Sequence, residues 1–297
     1  MTEVTGTTGT AIRARQDPRA FAVRAGLVRG LIEVRQSLTN ASDLTWFFFV
    51  PITFTVVLVF MRGSTVPGTD FALGAMVLPS MVGMSIAYGG LIGASSTLAV
   101  EREDGTLLRA KATPHGMLGY LVGKIVNYSL TTLFTLVILV IPAWTVRDEL
   151  QVDAQSWLIL AGIFVLGMIA TIPMGTALGS LLTSSTQTGL LLLGSVLLIA
   201  PSGIFYPITA LPTWMQWVGQ AFPFYWLGLG ARSALLPDAM AAVEIGGSWR
   251  TAEMVAVLGV WAIAGLVLAP VLLRRMARRE SGSSVAERRD KWLTRFA

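Results

Sequence analysis

Residues 99–114, "AVEREDGTLLRAKATP", decide how the chain is read, because they set a charged elbow between two long apolar stretches. Glu101, Arg102, Glu103 and Asp104 follow an apolar run without a pause. Gly105 then permits a sharp change of direction. Asp104 or Thr106 can cap a short helix through about Ala112, and Thr113 with Pro114 suits the N-cap and first position of the helix that follows. An ordinary polar loop explains the charges but not this helix punctuation. The punctuation predicts a short rigid helix lying across a membrane face, built to pass motion on rather than absorb it.

The composition around the elbow agrees. Of 297 residues, 54% are hydrophobic and 13% charged, with a mean hydropathy of +0.66. A soluble domain carries roughly 25% charged residues. The apolar residues come in blocks of membrane-spanning length. The expected fold is all-α and polytopic, with six transmembrane helices at roughly 44–61, 71–100, 117–142, 157–182, 189–205 and 252–273. Ser42 or Asp43 can cap the first, and Pro51 stands inside it. Residues 1–17 read as a disordered cytosolic tail without a signal-peptide core. In 18–40, Phe21, Ala25, Val28 and Ile32 share one face with Leu31 beside it, which predicts an amphipathic helix at the membrane interface. Residues 41–273 form the membrane domain, with the elbow at about 101–113, and 274–297 form a basic cytosolic tail.

Eighteen of the 22 Lys and Arg fall on one side of such a topology. The outer segments hold only Arg62, Arg147, Arg232 and Arg250, together with Asp70, Asp148, Glu149, Asp153, Asp238, Glu244 and Glu253. The positive-inside rule therefore predicts both termini and the elbow in the cytosol. The apolar stretch 206–236 is interrupted by Pro207, Pro212 and Pro223. An interior proline costs about 3 kcal/mol in a helix, so the stretch predicts two short helices meeting at "FPFY". These would form a re-entrant hairpin before the last span, with Gly219 allowing the turn. Arg232 on the returning arm should be covered by protein or water, and Trp214, Trp217 and Trp226 should sit near the outer interface.

Several chemistries are excluded or disfavoured. The chain has no cysteine and a single histidine, His115, and carries no hydrolase or zinc-protease motif. "GYLVGKI" fails the P-loop pattern: its glycines are one residue too close, and Ile125 follows Lys124. The spans carry no mid-depth carboxylate of the kind that marks proton pathways. The excess of bases follows membrane topology, and no nucleic-acid motif is present. Gly89/Gly93 and Gly175/Gly179 read as close helix packing within the subunit. Asn127, Thr131 and Thr135 form a polar stripe whose hydroxyls are expected to bond back onto their own helix.

"EREDGTLLRAKATP", followed by Gly123 and Lys124, resembles the signature loop of ABC-2 type permeases, the membrane subunits of bacterial ATP-driven exporters, including the daunorubicin-resistance type. Glu101, Glu103, Gly105, Thr106, Leu107, Pro114, Gly123 and Lys124 carry the resemblance; Leu108 departs from a glutamate frequent there. "SGIFYPITALPTW" at 202–214, with Arg232 downstream, is similar to the family's segment before its last span. The resemblance implies an exporter of a drug-like or lipid-like compound. It would sit in the bacterial inner membrane, either as a homodimer or paired with a second permease. A separate ABC ATPase would bind ATP and Mg, so this chain would be no enzyme, with no cofactor or metal of its own and no nucleic-acid partner. The coupling residues implied are Glu101, Arg102, Glu103, Gly105, Thr106, Leu107, Arg109 and Pro114. A substrate path between subunits would be lined from the first, second and fifth spans, with Phe47, Phe48 and Ser195 as candidates. Export of a lipid-linked glycan, or a scaffold or channel without ATP coupling, are the competing readings.

Overall fold

The computed structural model describes residues 17–60, 63–65, 73–103, 105–113, 115–143, 150–182 and 185–279. The expected N-terminal tail, Asp104, Pro114 and most of the C-terminal tail lie outside these residues. Helix α1 (Pro18–Thr39) begins where Asp17 accepts a hydrogen bond from the Arg19 N–H at 2.9 Å and Pro18 supplies the first helical position. Helix α2 (Ala41–Phe60) already contains both expected caps, Ser42 and Asp43. The Asn40 side chain caps it instead, accepting from the Ser42 N–H at 2.9 Å.

The expected second span is α3 (Leu73–Ala87), a π turn (Tyr88–Gly93) and α4 (Ala94–Glu103) in unbroken succession. Next come α5 (Thr106–Lys111), α6 (Gly116–Ala143), α7 (Ala154–Leu181) and α8 (Ser185–Ile199). Helix α7 opens on a capping box in which Asp153 accepts from the Ser156 N–H at 2.7 Å. Helices α9 (Thr213–Ala221) and α10 (Pro223–Leu235) follow, then α11 (Thr251–Arg279). The last helix therefore runs through Arg274, Arg275 and Arg278 into the expected tail.

Among the described residues, four helices are long and apolar enough to cross a membrane: Gly74–Arg102, Gly116–Leu139, Ala154–Leu181 and Thr251–Met276. The first is 72% buried and the last 22%, which puts the α3–α4 span at the centre and α11 at the rim. Glycine decides how closely the centre packs. A Cβ on Gly179 would stand 2.6 Å from the Ser95 carbonyl, and Gly175 packs on the Gly90 and Leu91 backbones. Both glycine pairs thus serve contacts within the subunit. Thr131 and Thr135 bond back to the Asn127 and Thr131 carbonyls at 2.8 and 3.1 Å, as the polar stripe implied.

The proline-interrupted stretch is two helices, separated at Phe222. Each proline stands at a helix start, where the missing N–H costs nothing. Pro207 precedes a 3₁₀ turn at Ile208–Ala210, Pro212 caps α9 and Pro223 opens α10. Gly219 allows a close approach to the Pro201 backbone rather than the turn itself. Trp214 and Trp217 are exposed. Trp226 is buried, donating to the Gln220 carbonyl under the Arg250 guanidinium.

Candidate functional site at the charged elbow

The elbow helix is one and a half turns long and is held from both sides. Gly105 takes the left-handed conformation (φ 79°) and stands at the N-cap with no side-chain cap. A side chain there would be strained, so the change of direction requires glycine. Thr106 is the first helical residue rather than the cap. Thr113 does not cap α6 either: its hydroxyl donates to the Ala110 carbonyl at 2.9 Å and so closes α5. Leu107 and Ala110 turn inward onto Leu98, Tyr120, Leu121, Leu273 and Met276. This apolar anchor ties the elbow to α4, α6 and α11 together. Arg109 and Lys111 turn outward and are exposed.

Next to the anchor lies a cluster of charges. The Lys124 ammonium donates to Glu33 at 2.8 Å and to Glu101 at 2.7 Å, with its side chain 4% exposed. Tyr120 donates to the other Glu101 oxygen at 2.7 Å, and Arg29 donates to Glu33 at 2.8 Å. Arg29 also stands 3.5 Å from Glu101 and lies over the Tyr120 ring. Two cations meet two carboxylates, so the cluster is neutral, and hydrogen bonds among charged groups are the strong kind. Burial pushes the Glu33 carboxyl up, but hydrogen bonding to Lys124 and its charge, then Arg29, outweigh this and hold it below the usual range. Arg102 donates to the Leu182 carbonyl at 2.6 Å, tying the end of α4 to the end of α7.

Glu101, one of the implied coupling residues, therefore faces into the helix interface rather than outward. A buried ammonium demands a carboxylate, and Lys124 enters the helix interface one turn beyond Tyr120 on α6. Glu33 was not singled out from the sequence, although a signal existed: Ala22, Gly26, Gly30 and Glu33 share one face of α1. That small-residue face packs onto Gly119 and Gly123, where a Cβ on Gly30 would stand 2.7 Å from the Gly123 carbonyl. Phe21, Val28, Leu31 and Ile32 consequently remain exposed, as an interfacial helix needs. An open groove of about 870 Å³ runs between α1 and the elbow, lined by Phe21, Arg24, Val28, Ile32, Thr106 and Arg109 among others.

The other expected site residues lie elsewhere. Arg232 is fully buried. One of its terminal nitrogens donates to Ser80 Oγ at 3.0 Å and to the Ile204 carbonyl at 3.1 Å. Its Nε stands 2.9 Å from a Glu244 oxygen, an ion pair by distance that lacks hydrogen-bond alignment. Phe47 packs edge-on against Phe134 at 5.6 Å, Phe48 is 43% exposed and Ser195 is buried. The structure does not bring these three to the elbow. Among the described residues, no group of acidic or histidine side chains forms a metal site.

Comparison with known proteins agrees with this architecture. A family model described as "ABC-2 family transporter protein" matches residues 65–271. The chain is also 23% identical over 204 residues to a Bacillus subtilis (strain 168) protein named "Putative transport permease YvfS", covering 68% of this chain and 82% of that one. A multi-pass helical membrane protein with a packed charged elbow, matched over most of its length by that model, belongs to the ABC-2 family of transporter permeases.

Proposed function

We propose that the chain is the permease subunit of an ATP-driven exporter, and that the α1–α5 groove is where a separate ABC ATPase docks. The observation that carries this is the elbow's construction. A helix of one and a half turns does not hold its shape alone; here Leu107 and Ala110 lock one face into the bundle while Arg109 and Lys111 stay exposed. A push on the outward face therefore reaches α4, α6 and α11 without being absorbed. Glu101, Gly105 and Leu107 then serve as positioning residues, and Thr106 and Arg109 as contact residues. With Arg24 and Arg109 on its walls, the groove suits an acidic amphipathic segment of the ATPase.

In this reading α2 and α8 also cross the membrane, giving six spans with both termini in the cytosol of a bacterial inner membrane. Helices α9 and α10 form a hairpin that enters the outer leaflet and returns. The exposed apolar faces of α2 (Phe48, Phe49, Ile52) and α8 (Leu190, Leu193, Leu197) would meet a second permease. An apolar lining of this kind favours a hydrophobic or amphipathic cargo over a lipid-linked glycan.

The test is charge reversal at the elbow. Arg109→Glu with Lys111→Glu should leave the permease in the membrane and lower ATPase co-purification tenfold or more. Undiminished co-purification with normal ATP-dependent export would remove the groove as the docking site. A wild-type permease that captures no ATPase would favour the scaffold or channel reading.

A further inference from the structure

The central span holds a local irregularity that the coupling reading leaves unused. Tyr88–Gly93 form a π turn, with α geometry continuing on both sides. Such a turn takes up one residue more than an α-helix does and is frequently found at functional sites. Gly89 faces Thr132, Gly90 faces Thr171, and Gly93 faces the Tyr128 ring, so α6 and α7 press on the turn from two sides. Three successive carbonyls accept side-chain hydroxyls. Ser95 donates to Leu91 at 2.6 Å, Ser96 to Ile92 at 3.0 Å and Tyr128 to Gly93 at 3.0 Å. The span is pinned beyond both ends of the turn, by Arg232 at Ser80 outside and by Lys124 at Glu101 inside.

We infer that this π turn is a register device, a stored residue that lets the cytosolic half of the span turn and slide against its fixed outer half. Relaxation to α geometry moves each residue of α4 into the place of the residue after it. That is a rotation of about 100° and a shift of about 1.5 Å. Ala99 takes the place of Val100, and Glu101 leaves Lys124 for the place held by Arg102. The cytosolic charge cluster is thus whole in one register and broken in the other. The hydroxyls of Ser95, Ser96 and Tyr128 supply donors to carbonyls whose backbone partners change during the slip, so the helix need not unravel. The glycines let the backbone pass between α6 and α7 without side-chain clashes.

The device is independent of whether an ATPase docks at the elbow, and so is its test. The chain has no native cysteine, so Val100→Cys and Ala99→Cys can be compared in full-length protein in membrane vesicles, with N-ethylmaleimide as the probe. Val100 is 58% exposed and Ala99 5%, so position 100 should react at least tenfold faster. Tyr128→Phe removes the donor to Gly93 and should lower the 100-to-99 ratio threefold or more. Deleting Gly90 in that background removes the stored residue while both halves keep their faces, and should restore the ratio. Lys124→Met, with Gly90 present, should lower it in the same direction and keeps the test decisive if the deletion variant does not accumulate. A change of less than threefold with Tyr128→Phe or Lys124→Met, or a shift that survives the deletion, overturns the proposal.

Discussion

Two buried ionic assemblies lie at opposite ends of the central span, and they are built on different terms. At the elbow end, Arg29, Glu33, Glu101 and Lys124 form a neutral, hydrogen-bonded group at the edge of solvent, with side-chain exposures from 4% to 31%. At the far end, Arg232 and Glu244 form an ion pair with 0% exposure, and neither carboxylate oxygen has a hydrogen bond among the described residues. A carboxylate taken fully out of water loses several kcal/mol of solvation, which one poorly aligned contact does not repay. The Arg232–Glu244 pair therefore holds its segments mainly by the cost of separating it. The elbow cluster holds three segments by bonds that are individually satisfied, and water at its edge lets them be remade. The contrast suits a fixed far end and a working elbow end.

The largest effect that tests this contrast is at the Arg232–Glu244 pair. Arg232→Met leaves Glu244 buried alone and should destabilise the protein by about 3–5 kcal/mol, read as a lowered thermal midpoint in detergent. Adding Glu244→Met should recover most of that loss; a double variant as unstable as the single one breaks the comparison. Lys124→Met should cost less, about 1.5–3 kcal/mol, because water can reach the carboxylates it leaves behind. Combining it with Glu101→Gln should cost less than the sum of the two single changes, since neutrality is restored.

Gly175→Ala probes the helix contact beside the π turn. Its Cβ would meet the Gly90 and Leu91 carbonyls, which are backbone and cannot yield, for a loss of about 1–3 kcal/mol. The smallest effect is pH dependence. The Glu33 carboxyl is held below its ordinary value of 4.5. Its contribution is therefore fully present above that value and lost as pH falls through the lower, folded one. Glu33→Gln should flatten the acid limb of a stability–pH curve measured in detergent, while leaving the curve above pH 6 parallel to wild type.

Much of the fold could be read locally. Gly105, Pro212 and Pro223 mark helix boundaries through their own backbone chemistry, and the structure places boundaries at each. The burial of Arg232 followed from its place on a short apolar helix. Its partner did not, because Glu244 counted only as one of several outer acids. The inward turn of Glu101 could not be read for a related reason. Position along a chain shows that a carboxylate begins an elbow, but not that a lysine 23 residues later will be buried against it.

The sequence by itself determined that this is a helical membrane protein, where its helices break and which loop carries the family's signature. These follow from side-chain solvation and backbone freedom, which act within a few residues. Only the tertiary structure decided that Glu101 looks inward, that a small-residue face of α1 seats Glu33 beside Lys124, and that the central span carries a π turn. Each of these depends on groups far apart in the chain: Lys124 and Glu33 are 91 residues apart, and Tyr128 and Gly93 are 35 apart. Ammonium desolvation and carbonyl pairing become decisive only after helix packing has excluded water, and a local reading of the chain carries no record of which helices will meet.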